Sequence, residues 1–223
     1  MISGNTFVKG DYMQVYLKYQ GFLGRQLNHQ LYRLAISKEN TYTPSRTSYS
    51  KYYPEWRKSV VIYDSQFALM KEMIEAKIRA RLAEIHQILA IRPFEIDCFE
   101  VQLTSHNDGD YFKWHTDNGS PNTASRLITF VYYFNGTPKA FSGGELVLYD
   151  NDESHIVEPD NDSIVFFASG QKHEVRQVAC PSKLFRDGRF TLNGWIRTRY
   201  SRKDLDNSYF GYNIFSPLAG YGK

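Results

Sequence analysis

Apolar residues recur at three- and four-residue steps between about Ser65 and Ile91: Phe67, Met70, Ile74, Ile78, Leu82, Ile85 and Leu89. That spacing predicts one long amphipathic helix with a charged outer face. Ser65 can cap its start, and Pro93 stands just beyond its end. Upstream, LNHQLYRLAI predicts a shorter helix. After Pro93 the period changes to two. FEIDCFEVQLT alternates, with Phe94, Ile96 and Cys98 opposite Glu95 and Asp97. RLITFVYYFN is β-branched and aromatic, GGELVLYD alternates again, and SIVFFAS is a short apolar run suited to a buried strand. EVRQV and RFTLNGWIRT carry the series to about Arg199. Many short strands at near-regular spacing predict an all-β barrel or jelly roll. The expected fold is therefore mainly β with N-terminal helices, a jelly-roll core supported by a long α-helix.

At 223 residues the chain is expected to form a single domain. Within it, residues 1–93 are a helical support carrying a loop, 94–199 the core, and 200–223 an aromatic tail. The loop, Thr41 to Pro54, is polar, aromatic and punctuated by proline, which suits a lid or binding loop as well as a plain surface connection. The tail, with SYFGYNIF, either packs back on the core or projects toward a partner.

Composition narrows the function by exclusion. The net charge of +3 is too weak and too dispersed for a nucleic-acid binder. The short basic run Arg197, Arg199, Arg202, Lys203 reads as an ordinary solvated segment. No window is long and apolar enough to cross a membrane, and the opening MISGNTFVKGDYMQ lacks an apolar leader. Cys98 and Cys180 have no CxxC partner. A reduced, cytoplasmic protein is the expectation.

Three residues carry the candidate chemistry. In WHTD, His115 and Asp117 lie two positions apart, so on a strand both point the same way. His173, in QKHEV, follows an apolar strand and a glycine turn. Two strand ends meeting at a barrel mouth would bring the three together on one face of a metal. Two imidazoles and one carboxylate with open positions opposite is the ligand set of non-haem Fe(II) oxygenases. A zinc hydrolase uses the same donor types, but it needs a separate general base and none stands out. His29 and His86 fall on predicted helices, His106 in the loop before the motif, and His155 in a turn without an acid two residues away. Arg189 opens the last core strand, and its guanidinium can grip a carboxylate with two parallel hydrogen bonds.

The ordered series GDYFKWHTDNG, RLITFVYYFN, FSGGELVLYD, SIVFFASGQKHEV and GRFTLNGWI resembles the prolyl-hydroxylase-like branch of the 2-oxoglutarate and Fe(II)-dependent dioxygenases, over residues 94 to 199. The resemblance implies a cupin-like double-stranded β-helix. It implies iron held by His115, Asp117 and His173, with 2-oxoglutarate and O2 as co-reactants and ascorbate as a supporting reductant. By the same match, Arg189 pairs with the far carboxylate of 2-oxoglutarate and Tyr133 assists it. Thr129 and Val131 line that pocket, and Trp195 packs near the ligands. Asp117 implies hydroxylation rather than halogenation, since halogenating relatives replace that carboxylate with a small residue, and it leaves desaturation and ring formation open. The implied substrate is a prolyl or other residue of a peptide or protein, or else a free amino acid or natural-product intermediate. A module that binds metal or ligand without catalysis is the alternative of another class. The sequence does not give the oligomeric state. Two departures stand out. The family often has a tyrosine about ten residues before the first histidine, where this chain reads LTSHN, so Leu103, Thr104 or Ser105 is expected to fill that space. The interval from His173 to Arg189 is long, and Lys183 within it is the rival to Arg189.

Overall fold

Alternation along the strands builds two opposed sheets, and the cleft opens between them. The computed structural model describes residues 14–46, 53–63 and 67–199. Its strands in chain order are β1 (Tyr16–Gln20), β2 (Thr43–Pro44), β3 (Arg57–Lys58), β4 (Val60–Tyr63), β5 (Ile96–His106), β6 (Tyr111–His115) and β7 (Arg126–Phe134), then β8 (Ser142–Gly143), β9 (Leu146–Asp150), β10 (Glu153–Val157), β11 (Ser163–Ala168), β12 (His173–Val175), β13 (Val178–Ala179) and β14 (Arg189–Thr198). A seven-stranded sheet runs β1-β11-β7-β14-β5-β4-β2, and a five-stranded sheet runs β10-β9-β12-β6-β3. β8 and β13 form a separate pair. The pattern is mainly β, in keeping with the expected jelly roll.

The large sheet has a different neighbour on each face. On β7, Ile128, Phe130, Tyr132 and Phe134 join a core with Leu31, Ala35, Ile74, Ile78, Ile85 and Leu89 from the helices. Val131 and Tyr133, on the other face, pack with Leu146, Leu148 and Val157 of the small sheet. Both faces are covered, which is why β7 is buried at every position after Arg126. On β14, Phe190, Leu192 and Ile196 face the helices, which turns Arg189, Thr191, Asn193 and Trp195 toward the cleft. Gly194 holds this strand close to its neighbours. A Cβ there would sit 2.4 Å from the Glu100 carbonyl oxygen and 2.6 Å from the Phe130 ring.

Two expectations about the elements are corrected. The helix foreseen from Ser65 to Ile91 is two helices, α2 (Ala68–Arg79) and α3 (Leu82–Ile88), which follow α1 (Arg25–Ser37). Arg81 N–H bonds the Ile78 carbonyl three residues back, and Arg81 leaves the helical region at φ −119°. Arg79 lies over the Phe99 ring and Arg81 over the Tyr19 ring, each at 4.7 Å, so the two sides of the break are anchored to different strands. Phe67, not Ser65, stands at the start of α2, and Ser65 lies outside the described residues. On β5 the buried face is Phe99, Val101 and Leu103, and Cys98 is exposed. The apolar face changes parity near a register shift between β5 and β14, where Arg197 pairs with Cys98 but Thr198 pairs with Ile96. Of the Thr41–Pro54 loop, Thr43 and Pro44 pair with β4, while residues 47–52 lie outside the described residues, as does the tail 200–223.

Candidate metal centre and its pocket

β6 and β12 are antiparallel neighbours, and their register sets His115 directly opposite His173. The chain turns after His115, and the Asp117 N–H bonds the Ser169 carbonyl at 2.9 Å. This ties the carboxylate to the segment that leads into His173. The His115 Nε2 lies 3.6 Å from Asp117 Oδ1, and the His173 Nε2 lies 3.5 Å from Asp117 Oδ2. Each of the three residues offers a donor atom within 4.8 Å of the others. His115 Nδ1 contacts the Lys113 carbonyl and His173 Nδ1 the Gln171 carbonyl, both at 2.8 Å. A carbonyl can only accept, so both Nδ1 atoms carry the proton and both Nε2 lone pairs are free for a metal. The donor set therefore fits a divalent iron ion.

The surroundings fix these donors. Thr129 Oγ1 donates to Asp117 Oδ2 at 2.8 Å and lies 3.0 Å from Ser169 Oγ. Arg126 donates to the Asp117 carbonyl, pairs with Glu100, and lies 3.6 Å over the Trp195 ring. The Phe112 ring stacks on His115 with centroids 3.5 Å apart. Burial raises the proton affinity of Asp117, but the His173 and His115 imidazoles outweigh it and hold the carboxyl far below the usual range. Burial, followed by the neighbouring His115, pushes His173 down to about 4. The metal-free site thus has a charged carboxylate and a neutral distal imidazole at neutral pH, the forms that ligate.

A cavity of about 710 Å³ opens over this centre, and its wall includes Arg57, His106, Thr129, Val131, Arg189 and Trp195. Arg189 is 2% exposed. No carboxylate among the described residues forms an ion pair with it, and its Nε has no hydrogen-bond partner. A buried guanidinium without an anion is costly, so this position calls for an anionic ligand. Gly144, at φ +71°, makes room for it, since a Cβ there would meet the Arg189 Cδ at 2.6 Å. The guanidinium lies 5.1 Å over the Tyr133 ring. Tyr133 is buried on the same face as Val131, and its hydroxyl has no hydrogen-bond partner among the described residues. Burial pushes its phenol up to about 12, against the opposing pull of Arg189.

The remaining sequence candidates sort out by position. Lys183 is exposed in its loop, 3.9 Å from Asp108. His155 lies on β10 rather than in a turn, its ring edge-on to Tyr16. Leu103 points into the helix-side core and Thr104 onto the cavity wall, where its hydroxyl donates to Asn193. The residue missed by sequence reasoning is His106. It is the last residue of β5, not a loop residue, and it is 3% exposed against Arg189. Arg57 also lines the cleft. Its Nε donates to Ser59 and its guanidinium covers the Phe112 ring at 4.6 Å.

Comparison with known proteins agrees with this geometry. The profile of the 2OG-Fe(II) oxygenase superfamily matches residues 101–197. An uncharacterised PKHD-type hydroxylase from Synechocystis is 40% identical over 207 residues, covering 88% of this chain and 66% of the relative. The chain thus spans just under two thirds of that relative's length. Among solved structures, a Trichoplax adhaerens prolyl hydroxylase in complex with a hypoxia-inducible-factor peptide fragment aligns with a TM-score of 0.66 at 16% identity, covering 88% of each chain. A Pseudomonas putida prolyl-4-hydroxylase aligns with a TM-score of 0.58 at 21% identity, covering 83% of this chain and 94% of the other.

Proposed function

Because this chain belongs to the 2OG-Fe(II) oxygenase superfamily, we propose that it is a 2-oxoglutarate- and O2-dependent hydroxylase of an unactivated C–H bond, acting on a prolyl or other residue of a peptide or protein. The observation that carries the reading is the meeting of His115, Asp117 and His173, both imidazoles with Nε2 lone pairs free, beside a buried guanidinium whose Nε has no hydrogen-bond partner among the described residues. His115, Asp117 and His173 would hold Fe(II), and Arg189 the far carboxylate of 2-oxoglutarate. Bound there, the iron supplies O2 activation coupled to decarboxylation of 2-oxoglutarate to succinate and CO2.

The chain's own residues supply placement and exclusion of water. Thr129 and the Ser169 carbonyl fix Asp117. Phe112 shields one face of His115. Val131 and Leu146 give the cavity apolar walls, and Trp195 closes it near Asp117. At the mouth, Trp56, Tyr53 and Arg57 offer aromatic and cationic contacts to an extended chain. No helix of the described residues is long and apolar enough to cross a membrane.

A second reading of the substrate is favoured by Arg57. Its guanidinium lines the cavity, and a second cation there suits a free amino acid or other small acid. One assay covers both readings. Anaerobic protein with Fe(II) and 2-oxoglutarate is expected to develop the visible charge-transfer band of the chelate. Succinate release is then scored over prolyl peptides, free amino acids and their amides, with an added oxygen sought by mass. A folded protein that develops no band would instead be a binding module without catalysis.

A further inference from the structure

The imidazole of His106 packs against one cation and feels the charge of another. Its Nδ1 is 3.4 Å from a terminal nitrogen of Arg189, its cross-strand partner on β14. A guanidinium has only donors, so His106 Nδ1 must present its lone pair there. Burial, and then the charges of Arg189 and Arg57, keep the ring from taking a second proton. The single ring proton therefore resides on Nε2. That N–H is buried and has no acceptor among the described residues. A buried donor left unpaired is costly and rare, so something in the cavity is expected to accept it. The ring forms part of the cavity wall next to Arg189, whose Nε likewise has no hydrogen-bond partner among the described residues.

We propose that His106 is a cosubstrate-positioning residue, its Nε2–H donating to the carboxylate that Arg189 holds. The neutral ring suits this task. A charged imidazole beside Arg189 and Arg57 would be repelled by both, while the neutral tautomer adds a directed donor without another charge. The anion pocket then has a guanidinium and an imidazole N–H facing one carboxylate. It is built by adjacent strands whose register places the two residues side by side.

The inference rests on the reading of the cleft as a 2-oxoglutarate site, and the experiment separates the two. Fe(II)-loaded protein is titrated anaerobically with 2-oxoglutarate, and the dissociation constant is read from the charge-transfer band. Wild type lacking the band would sink the functional reading itself. With the band present, His106→Leu is expected to weaken 2-oxoglutarate at least about tenfold, the cost of one hydrogen bond to a charged group. Fe(II) affinity without cosubstrate should be unchanged, and His106→Gln, which keeps a donor, should recover much of the loss. Equal affinity in wild type and His106→Leu would overturn the assignment, as would a Leu variant no worse than Gln. Nitrogen-15 spectra of histidine-labelled, Zn(II)-loaded wild type give a check that needs no variant. The Nε2–H tautomer is expected, with a shift of that resonance when 2-oxoglutarate is added. The Nδ1–H tautomer, or no shift, would contradict the proposal.

Discussion

At the scale of single residues, Asp117 organises the centre. Its backbone N–H is held by Ser169, one carboxylate oxygen by Thr129, and both oxygens face the ligand imidazoles. Thr129→Val keeps the volume and removes the donor, so it is expected to weaken Fe(II) binding by about 10–100-fold, the usual cost of losing an outer-sphere partner. Titration with Fe(II) or Mn(II) measures this, and an unchanged affinity would show that the turn alone positions Asp117. Asp117→Ala should abolish metal binding and turnover, while His155→Ala should leave both largely intact. Equal losses from the two would mean that the ligand set is misassigned. His115 and Asp117 were legible because a two-residue spacing on a strand needs no tertiary information. His173 was legible from its place after an apolar strand. His106 was not, because nothing local distinguishes the end of a strand from the start of a loop in LTSHNDG. Its significance lies entirely in a cross-strand neighbour more than eighty residues away.

At the scale of elements, period-two runs translated directly into strands, and the failures came where one element changes course without a marker residue. No glycine or proline stands near Ala80, so periodicity alone joined α2 to α3. The break is made by contacts of Arg79 and Arg81 with two different strands, which the helix's own sequence does not contain. On β5 the apolar parity set by Phe94, Ile96 and Cys98 switches near a register shift, and only pairing with β14 fixes where. Gly194 shows the same dependence in reverse. It looks like a weakness in the strand RFTLNGWIRT, yet the approach of Glu100 and Phe130 leaves no room for a Cβ. Gly194→Ala is therefore expected to destabilise the fold by about 1–3 kcal/mol, the range for forced overpacking. A thermal melt would read this, and a variant as stable as wild type would mean that β5 and β14 can separate freely. Trp195 and Asn193 flank this glycine on the cleft side, so a weakened strand should also loosen the pocket.

For the whole molecule, stability is tied to protons and metal through the same buried groups. His106 takes up a proton far less readily in the fold than in the unfolded chain, where its value is near 6.5. Between those two values the unfolded chain binds the proton and the native state does not. The stability is therefore fully present above about pH 6.5 and is lost as pH falls toward the folded value, by at most about 1.4 kcal/mol per pH unit for one such group. His86, lowered by burial against Phe94, acts with the same sign. Metal-free protein should therefore melt lower at pH 5.5 than at pH 7.5, and His106→Gln should flatten that slope. A melting temperature insensitive to pH over this range would mean that His106 is hydrated in solution. A bound metal enters the same balance, because it ligates only the native state. At a concentration of one hundred times its dissociation constant, Mn(II) should add about 2.7 kcal/mol, which for a chain of this size raises the melting temperature by roughly 5–10 °C. The gain should shrink on acidification, since protons compete for the imidazole lone pairs, and it should vanish in Asp117→Ala. A metal-induced rise that survives this substitution would place the ion elsewhere in the molecule.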